Sequence, residues 1–321
     1  MRNFFILTGI LFFLFSCSSG KRDYIAIAAT EGPSALTLLK MLEDSLYFDG
    51  KEVRVEFYSE PQKIQALMMR NKVDFAILPT IMASNLYNKG VNYRVLGIPI
   101  WGTLHVVTNN PDIEEISDID GQKIHLFGQG STADILMREL LTKKNIKNTT
   151  LNFDYGSNQD LANALINNKI EIAVLSEPLV SQLITKYTFF RILSKLECEE
   201  ITPQGNENIF TQTSFLVDDT FLKKYPETAR KVSEKYAASC KFVNDSTYWA
   251  GLIGEKHEIF PDSYNTLFSV PLCNIDFQYG YAVKNQIIKY LTRINKINPE
   301  STGNSIPENN FVVTEAELKS N

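Results

Sequence analysis

Gly128, Gly130, Ser131 and Asp134 stand between a strand-like run, Lys123 to Phe127, and a helix-like run that reaches Ile146. Glycines there permit a sharp turn and a close approach of backbone to a bound group, Ser131 can cap the helix, and Asp134 supports the cap three residues on. A helix start of this kind offers unpaired N–H groups and the positive end of the helix dipole. That chemistry suits a carboxylate, sulfonate, phosphate or polar heterocycle. The same arrangement serves stability alone in many α/β proteins, so the rest of the chain has to decide between the two uses.

Residues that could make or break bonds are scattered. His105, His125 and His257 are far apart, and His125 falls within a strand pattern, where a core or surface histidine is expected. The chain has neither a phosphate-cradling P-loop nor a nucleophile elbow. The spacing of Cys198, Cys240 and Cys273 fits no metal motif, and Cys240 lies on an apolar helical stripe, as a small core residue does. No metal site and no cofactor are expected. The pattern is one for holding a ligand.

The elements that would position such a site follow from length and composition. A chain of 321 residues with 44% hydrophobic side chains can bury a core large enough for two lobes. A formal net charge of −5 argues against binding nucleic acid, which needs basic patches. Lys143, Lys144 and Lys147 form the densest basic group and complement a helix C-terminus. Arg2 precedes the apolar run Phe4 to Phe15, too short to span a bilayer as a helix but suited to a signal peptide. Leu14-Phe15-Ser16-Cys17 resembles a bacterial lipobox, with Phe15 bulkier than usual. The expectation is a lipoprotein signal over residues 1–16, acylation at Cys17 and a tether over 17–23.

Strand and helix patterns then alternate, which implies parallel sheets with right-handed crossovers. Tyr24 to Ala28 and Val53 to Phe57 read as strands, Ser34 to Leu46 and Pro61 to Arg70 as helices, and Val73 to Leu78 as a buried strand. The chain then repeats itself. Val55 to Glu60, leading to Ala66-Leu67, matches Phe153 to Asn158, leading to Ala164-Leu165; Asn71 to Leu78 matches Asn168 to Leu175; Gly32-Pro33-Ser34 matches Gly130-Ser131-Thr132. Three matches in one order at nearly one spacing describe two lobes on a single plan. Ligands lie outside the carboxyl ends of parallel strands, so both glycine-bearing loops should line one cleft. Arg94 to Thr108 and Phe210 to Val217 read as crossings between the lobes, and Asp219 to about Val243 as a long helical region.

These segments resemble the type II solute-binding proteins of ABC importers, in the branch of sulfonate, taurine, nitrate and thiamine-pyrimidine binders. The likeness is carried by Asp118 to Ile124, by Ala164 to Glu171 continuing to Glu177-Pro178, by Gln212 to Phe215, and by Ser269 to Ile275 and Asn298 to Gly303. It implies an α/β, two-lobed type II periplasmic-binding-protein fold, each lobe a mostly parallel sheet flanked by helices. Residues 24–103 plus 215–321 would form lobe 1 with C-terminal helices, and 104–214 lobe 2 with the hinge crossings. Ligand contacts would come from Thr30, Glu31, Gly32 and Ser34, from Thr80 and Trp101, from Gly130, Ser131 and Thr132, and from Glu177, Thr211 and Thr213.

Two of these have plain structural alternatives: Glu177 as an acid at a helix start, and Trp101 as hinge packing. Glu31 disfavours a strongly anionic ligand and turns the expectation toward a zwitterion, an amine or a pyrimidine-like heterocycle, with sulfonates kept. The resemblance further implies a monomer outside the cytoplasm, held to a membrane by lipid, that delivers its small molecule to an ABC permease. The competing reading is an enzyme on the same fold, of thiamine- or menaquinone-pathway type, which the export signal opposes.

Overall fold

The computed structural model describes residues 22–197, 200–202, 205–207, 209–259 and 263–319. Cys17 and its lipobox, the signal segment and Cys198 lie outside the described residues. Two sheets carry the fold. The larger has seven strands and the smaller five, with helices packed on both.

The central strands of the two sheets follow one order. In the larger, Lys51–Tyr58, Tyr24–Thr30 and Phe75–Pro79 run parallel, then Thr213–Asp218 runs antiparallel, then Tyr93–Ile100. In the smaller, Thr150–Asn152, Lys123–His125 and Ile172–Ser176 run parallel, then Leu104–Thr108 runs antiparallel, then Arg191–Lys195. In each sheet the reversed strand is the one that has just crossed from the other lobe. The smaller sheet is mixed, with two of its four pairings parallel and two antiparallel, so the expectation of a mostly parallel sheet is not met. The larger is mixed too: Thr213–Asp218 runs against both its neighbours, and Tyr47–Phe48 and Ile275–Tyr279 add antiparallel edges.

The sequence repeat has a direct structural counterpart. Asn71 and Asn168 both take the left-handed conformation, φ 51° and 52°. In one, the Lys72 N–H donates to the Leu67 carbonyl at 2.9 Å; in the other, the Lys169 N–H donates to the Ala164 carbonyl at 2.9 Å. This is the Schellman closure, and asparagine tolerates its backbone better than a branched residue does. Each closure aims the chain into a buried strand, Phe75–Pro79 or Ile172–Ser176.

Some elements differ from the pattern read in the sequence. The first helix is broken into Pro33–Leu36 and Leu39–Glu43, with Leu36, Leu38 and Leu39 all buried. Three leucines crowded into about one turn cannot share a single helical stripe, so the backbone adjusts to bury them all. The long helical region is likewise interrupted, at Tyr225, by a proline that starts the helix Pro226–Asp245. That helix buries Val232, Tyr236, Cys240 and Val243 as one stripe; Cys240 and Cys273 are free thiols in the core. The tail past Asn298 is more ordered than its composition suggests. It forms two short 3-10 turns and the helix Glu315–Lys319, and its Val312 bridges to Val95 of the large sheet.

The lobes share a core. One apolar cluster runs from Val95 and Ile98 in the large sheet through Trp101 to Leu104, Val106 and Ile124 in the small one. The helix Lys284–Ile297 adds Ile287, Tyr290, Leu291 and Ile294 to that cluster and packs on helices of both lobes. Arg293 fastens it to the second lobe through an ion pair with Glu139 at 2.5 Å.

Candidate functional site: the cleft between the sheets

A cleft of about 500 Å³ opens where the carboxyl ends of strands from both sheets meet. Its wall includes Thr30 and Pro79 at the ends of first-lobe strands, Ser176 at the end of a second-lobe strand, and Ile100, Thr103, Leu104, Gln212 and Thr213 from the two crossings. The volume suits a small organic molecule. Four helices of eight residues or more start at its edge: Pro61–Met69, Thr80–Asn88, Thr132–Lys143 and Asn158–Ile166. Their first N–H groups have no partner within the helix, so the cleft is rich in donors without being rich in cations. Among the described residues its lining carries one acid, Glu31, and one base, Lys89, both exposed.

The second-lobe corner is built firmly. The Asp134 N–H donates to Ser131 Oγ at 3.4 Å, while the Asp134 carboxylate accepts the Gly130 N–H at 2.8 Å and Arg138 Nε at 2.6 Å. Ser131 in turn donates to the Phe127 carbonyl at 3.1 Å. These bonds hold Gly130, Ser131 and Thr132 against the cleft, with φ 78° at Gly128 and 74° at Gly130. In the first-lobe corner Thr30 donates to Ser34 Oγ at 3.0 Å, and the Glu31 N–H is used by the Tyr58 carbonyl at 3.1 Å. Thr30, Glu31 and Ser34 line the cleft; Gly32 instead faces the other lobe, where a Cβ on it would stand 3.6 Å from the Glu177 carbonyl.

Of the remaining expected residues, Thr80, Trp101, Thr211 and Glu177 lie behind the wall. Thr80 is buried, its N–H donating to the Gln212 carbonyl at 2.9 Å and its hydroxyl bonded to Ser214 at 2.8 Å. Trp101 is 7% exposed and donates its indole N–H to the Asp276 carbonyl at 2.7 Å, so it packs the hinge. Thr211 is buried with no hydrogen-bond partner for its hydroxyl. Thr213 does line the cleft.

Glu177 is buried beneath the helix Leu179–Lys186. Ser181 donates to its Oε2 through Oγ at 2.7 Å and through N–H at 3.3 Å, while its Oε1 lies 3.7 Å from His105 Nε2. Burial pushes the Glu177 carboxyl up to about 7 and the His105 imidazole down to about 4. The pair is therefore neutral on the histidine side at physiological pH.

Gln212 was not singled out in the sequence and holds the hinge together. Its side-chain carbonyl accepts the Thr103 N–H at 2.8 Å, and its amide donates to Thr103 Oγ1 at 2.9 Å. Glu197 Oε1 accepts the Thr103 and Leu104 N–H groups at 2.9 and 2.8 Å. Asn85, Phe127, Asn158 and Ser176 also line the cleft. A strand end followed by a helix start is the signal that would have found Ser176 and Asn158, as it found Ser131.

Two sheets of matching order, joined by two antiparallel crossings and closing on a donor-rich cleft, define a two-lobed ligand-binding protein. The sequence profile described as ABC transporter, phosphonate, periplasmic substrate-binding protein matches residues 25–203. The chain belongs to that family. Similar solved structures include an ABC transporter from Parabacteroides distasonis, with 27% identity, TM-score 0.79, and 92% of this chain and 100% of that one covered. The periplasmic aliphatic sulphonate-binding protein SsuA of Escherichia coli aligns at 11% identity and TM-score 0.71 over 88% of this chain and 91% of its own. The alkanesulfonate-binding SsuA of Xanthomonas axonopodis pv. citri, bound to MOPS, gives 15% identity and TM-score 0.68 over 92% and 98%. Among curated proteins no sequence matched.

Proposed function

We propose that this protein captures one small organic molecule between its lobes, outside the cytoplasm, and presents it unchanged to an ABC permease. The observation that carries the reading is the cleft itself: donors from both lobes and both crossings converge on one space sized for such a ligand. The ligand contacts are Thr30, Glu31 and Ser34 on one side, Gly130, Ser131 and Thr132 on the other, and Thr213 with Gln212 at the floor. Helix N-termini favour an acceptor or anionic group, whereas Glu31 favours a positive one. A zwitterion or a polar heterocycle satisfies both.

The protein works as a monomer held to the membrane through a lipid on Cys17, and it carries out no chemistry on its ligand. Among the described residues no helix is long and apolar enough to cross a membrane, and no cluster of metal-ligating side chains occurs. Closure of the lobes makes loaded and empty protein different in shape, and that difference is what a permease can read.

Native mass spectrometry of the purified chain, before and after denaturation, tests the reading. A released, chemically intact small molecule supports it. Conversion of an added metabolite to product by the purified protein would instead favour an enzyme on the same fold.

A further inference from the structure

The chain enters the first lobe at Arg22, which pairs with Asp74 at 2.9 Å and donates to the Lys72 carbonyl. That entry stands beside the turn at Asn71 and Lys72, at the amino ends of the parallel strands, whereas the cleft is at their carboxyl ends. Even fully extended, the chain from Cys17 to Arg22 reaches at most about 17 Å. The strand Tyr24–Thr30 alone puts about 20 Å between this base and the cleft.

The base has the chemistry of a membrane interface. Tyr47 is 63% exposed and Met69 61%. Tyr47 is placed there by Glu52, which pairs with it on one side and with Tyr24 on the other; Met69 ends the helix that leads into Asn71. Around them stand Lys51, Arg70, Lys72 and Lys224, with Lys51 and Lys224 over the Tyr225 ring at 5.1 and 5.2 Å. Several acids at this end are committed within the protein: Asp74 to Arg22, Glu52 to Arg54, and Asp219 to Arg94 and Lys223. Asp23 and Asp49, both exposed, oppose the basic group. A tyrosine ring suits the headgroup level, and long basic side chains reach anionic phosphates across it.

A second exposed aromatic group begins with Tyr248 and Trp249, but at the opposite end of the lobe. The helix Pro226–Asp245 runs from Tyr225 at the base to Asn244, which donates to the Ile275 carbonyl opposite Ile100 at the cleft, a path of about 30 Å. The tether selects between the two faces.

We propose that the base of the first lobe is a seat on an anionic phospholipid surface, with Tyr47 and Met69 at the headgroup level and Lys51, Arg70, Lys72 and Lys224 on the phosphates. The inference rests on the lipid at Cys17 and not on the cleft. The seat holds the cleft about 20 Å above the headgroups, facing away from the bilayer that carries the anchor. Delivery to a permease in that bilayer then requires the base to lift, so seat and permease compete for the protein.

Hydrogen exchange read by mass spectrometry tests this on the full chain purified with its anchor, the intact mass first reporting the lipid on Cys17. In vesicles of phosphatidylethanolamine and phosphatidylglycerol, amides of the turns around Asp49, Asn71 and Tyr225 should exchange at least about fivefold more slowly than in detergent, the factor equivalent to about 1 kcal/mol for one basic residue at an anionic surface. Amides of Thr247–Lys256 should not change. The slowing should vanish in phosphatidylcholine vesicles and in about 1 M salt, two comparisons that use the unaltered chain. The triple variant Lys51→Glu, Lys72→Glu, Lys224→Glu should lose it while still unfolding cooperatively. Base turns that exchange alike in anionic vesicles and detergent overturn the proposal, and so does slowing at Thr247–Lys256 in their place, or slowing that survives neutral lipid and high salt. A chain whose mass shows no lipid overturns it too, and leaves ligand capture to be decided by the co-purified molecule sought above.

Discussion

The two cleft corners share a plan and differ in chemistry. Aligned on Gly32 and Gly130, Glu31 stands where the second lobe has Gln129, Pro33 where it has Ser131, and Leu36 where it has Asp134. The second corner starts a 12-residue helix pinned by serine, aspartate and arginine. The first starts a helix of 4 residues whose Pro33 offers no N–H, and its Leu36 is wholly buried. One corner is a rigid donor; the other is anchored by apolar burial and presents an acid. Duplication of an architecture therefore does not duplicate a binding chemistry, and a cleft between unequal halves can orient a ligand as well as hold it.

The same inequality recurs one turn deeper, where Thr80 in the first lobe corresponds to Glu177 in the second, both fully buried. The largest predicted effect lies there. Because burial raises the folded carboxyl from 4.5 to about 7, the folded state holds a proton that the unfolded chain has already released. This contribution is complete below pH 4.5 and is lost as pH rises to 7. Glu177→Gln should therefore flatten the decline and stabilise the protein at pH 8 by on the order of 3 kcal/mol, read by denaturant unfolding across pH. No comparable change is expected from Thr80→Val under the same pH series.

Next in size is the donor corner itself. Ser131→Ala with Thr132→Ala should cost about 2 kcal/mol of ligand binding, while the matched pair Thr30→Ala with Ser34→Ala should cost about half that. Calorimetry with the co-purified molecule compares them; equal losses would make the two corners equivalent. Asp134→Ala leaves the Ser131 cap on its backbone N–H but releases the Gly130 N–H and Arg138 together, and should lower stability by about 1–2 kcal/mol in thermal unfolding. Smallest is Glu31→Gln, which makes the first corner resemble the second. Stability should change by less than about 0.5 kcal/mol, with affinity for cationic probes falling about two- to fivefold relative to neutral ones.

Much of this was legible in the sequence because it depends on local backbone rules. The matching segments from Asn71 and Asn168 into buried runs and the strand–glycine–serine corner at Gly128 to Ser131 are fixed by neighbours in the chain. The direction of Glu177 was not. An acid before proline at a helix start looks the same whether it faces solvent, a ligand or a core, and only His105, brought beside it by the sheet, makes the last of these true. Thr80 and Trp101 were hidden for the same reason: Ser214 and Asp276, their partners, are distant in sequence. Gln212 carried no signal beyond its place in a crossing.

The strand arrangement of the large sheet carries one more consequence. Tyr93–Ile100 and Thr213–Asp218 are antiparallel neighbours, with Ile100 opposite Thr213. In connectivity they form a hairpin, and the entire second sheet is its loop. A ribosome that has released only the first hundred residues has made a strand, Tyr93–Ile100, whose sheet partners are still to come. The first lobe is thus begun first and finished last: its middle stays open until the chain returns, and the second lobe must be threaded out and back before the first can close.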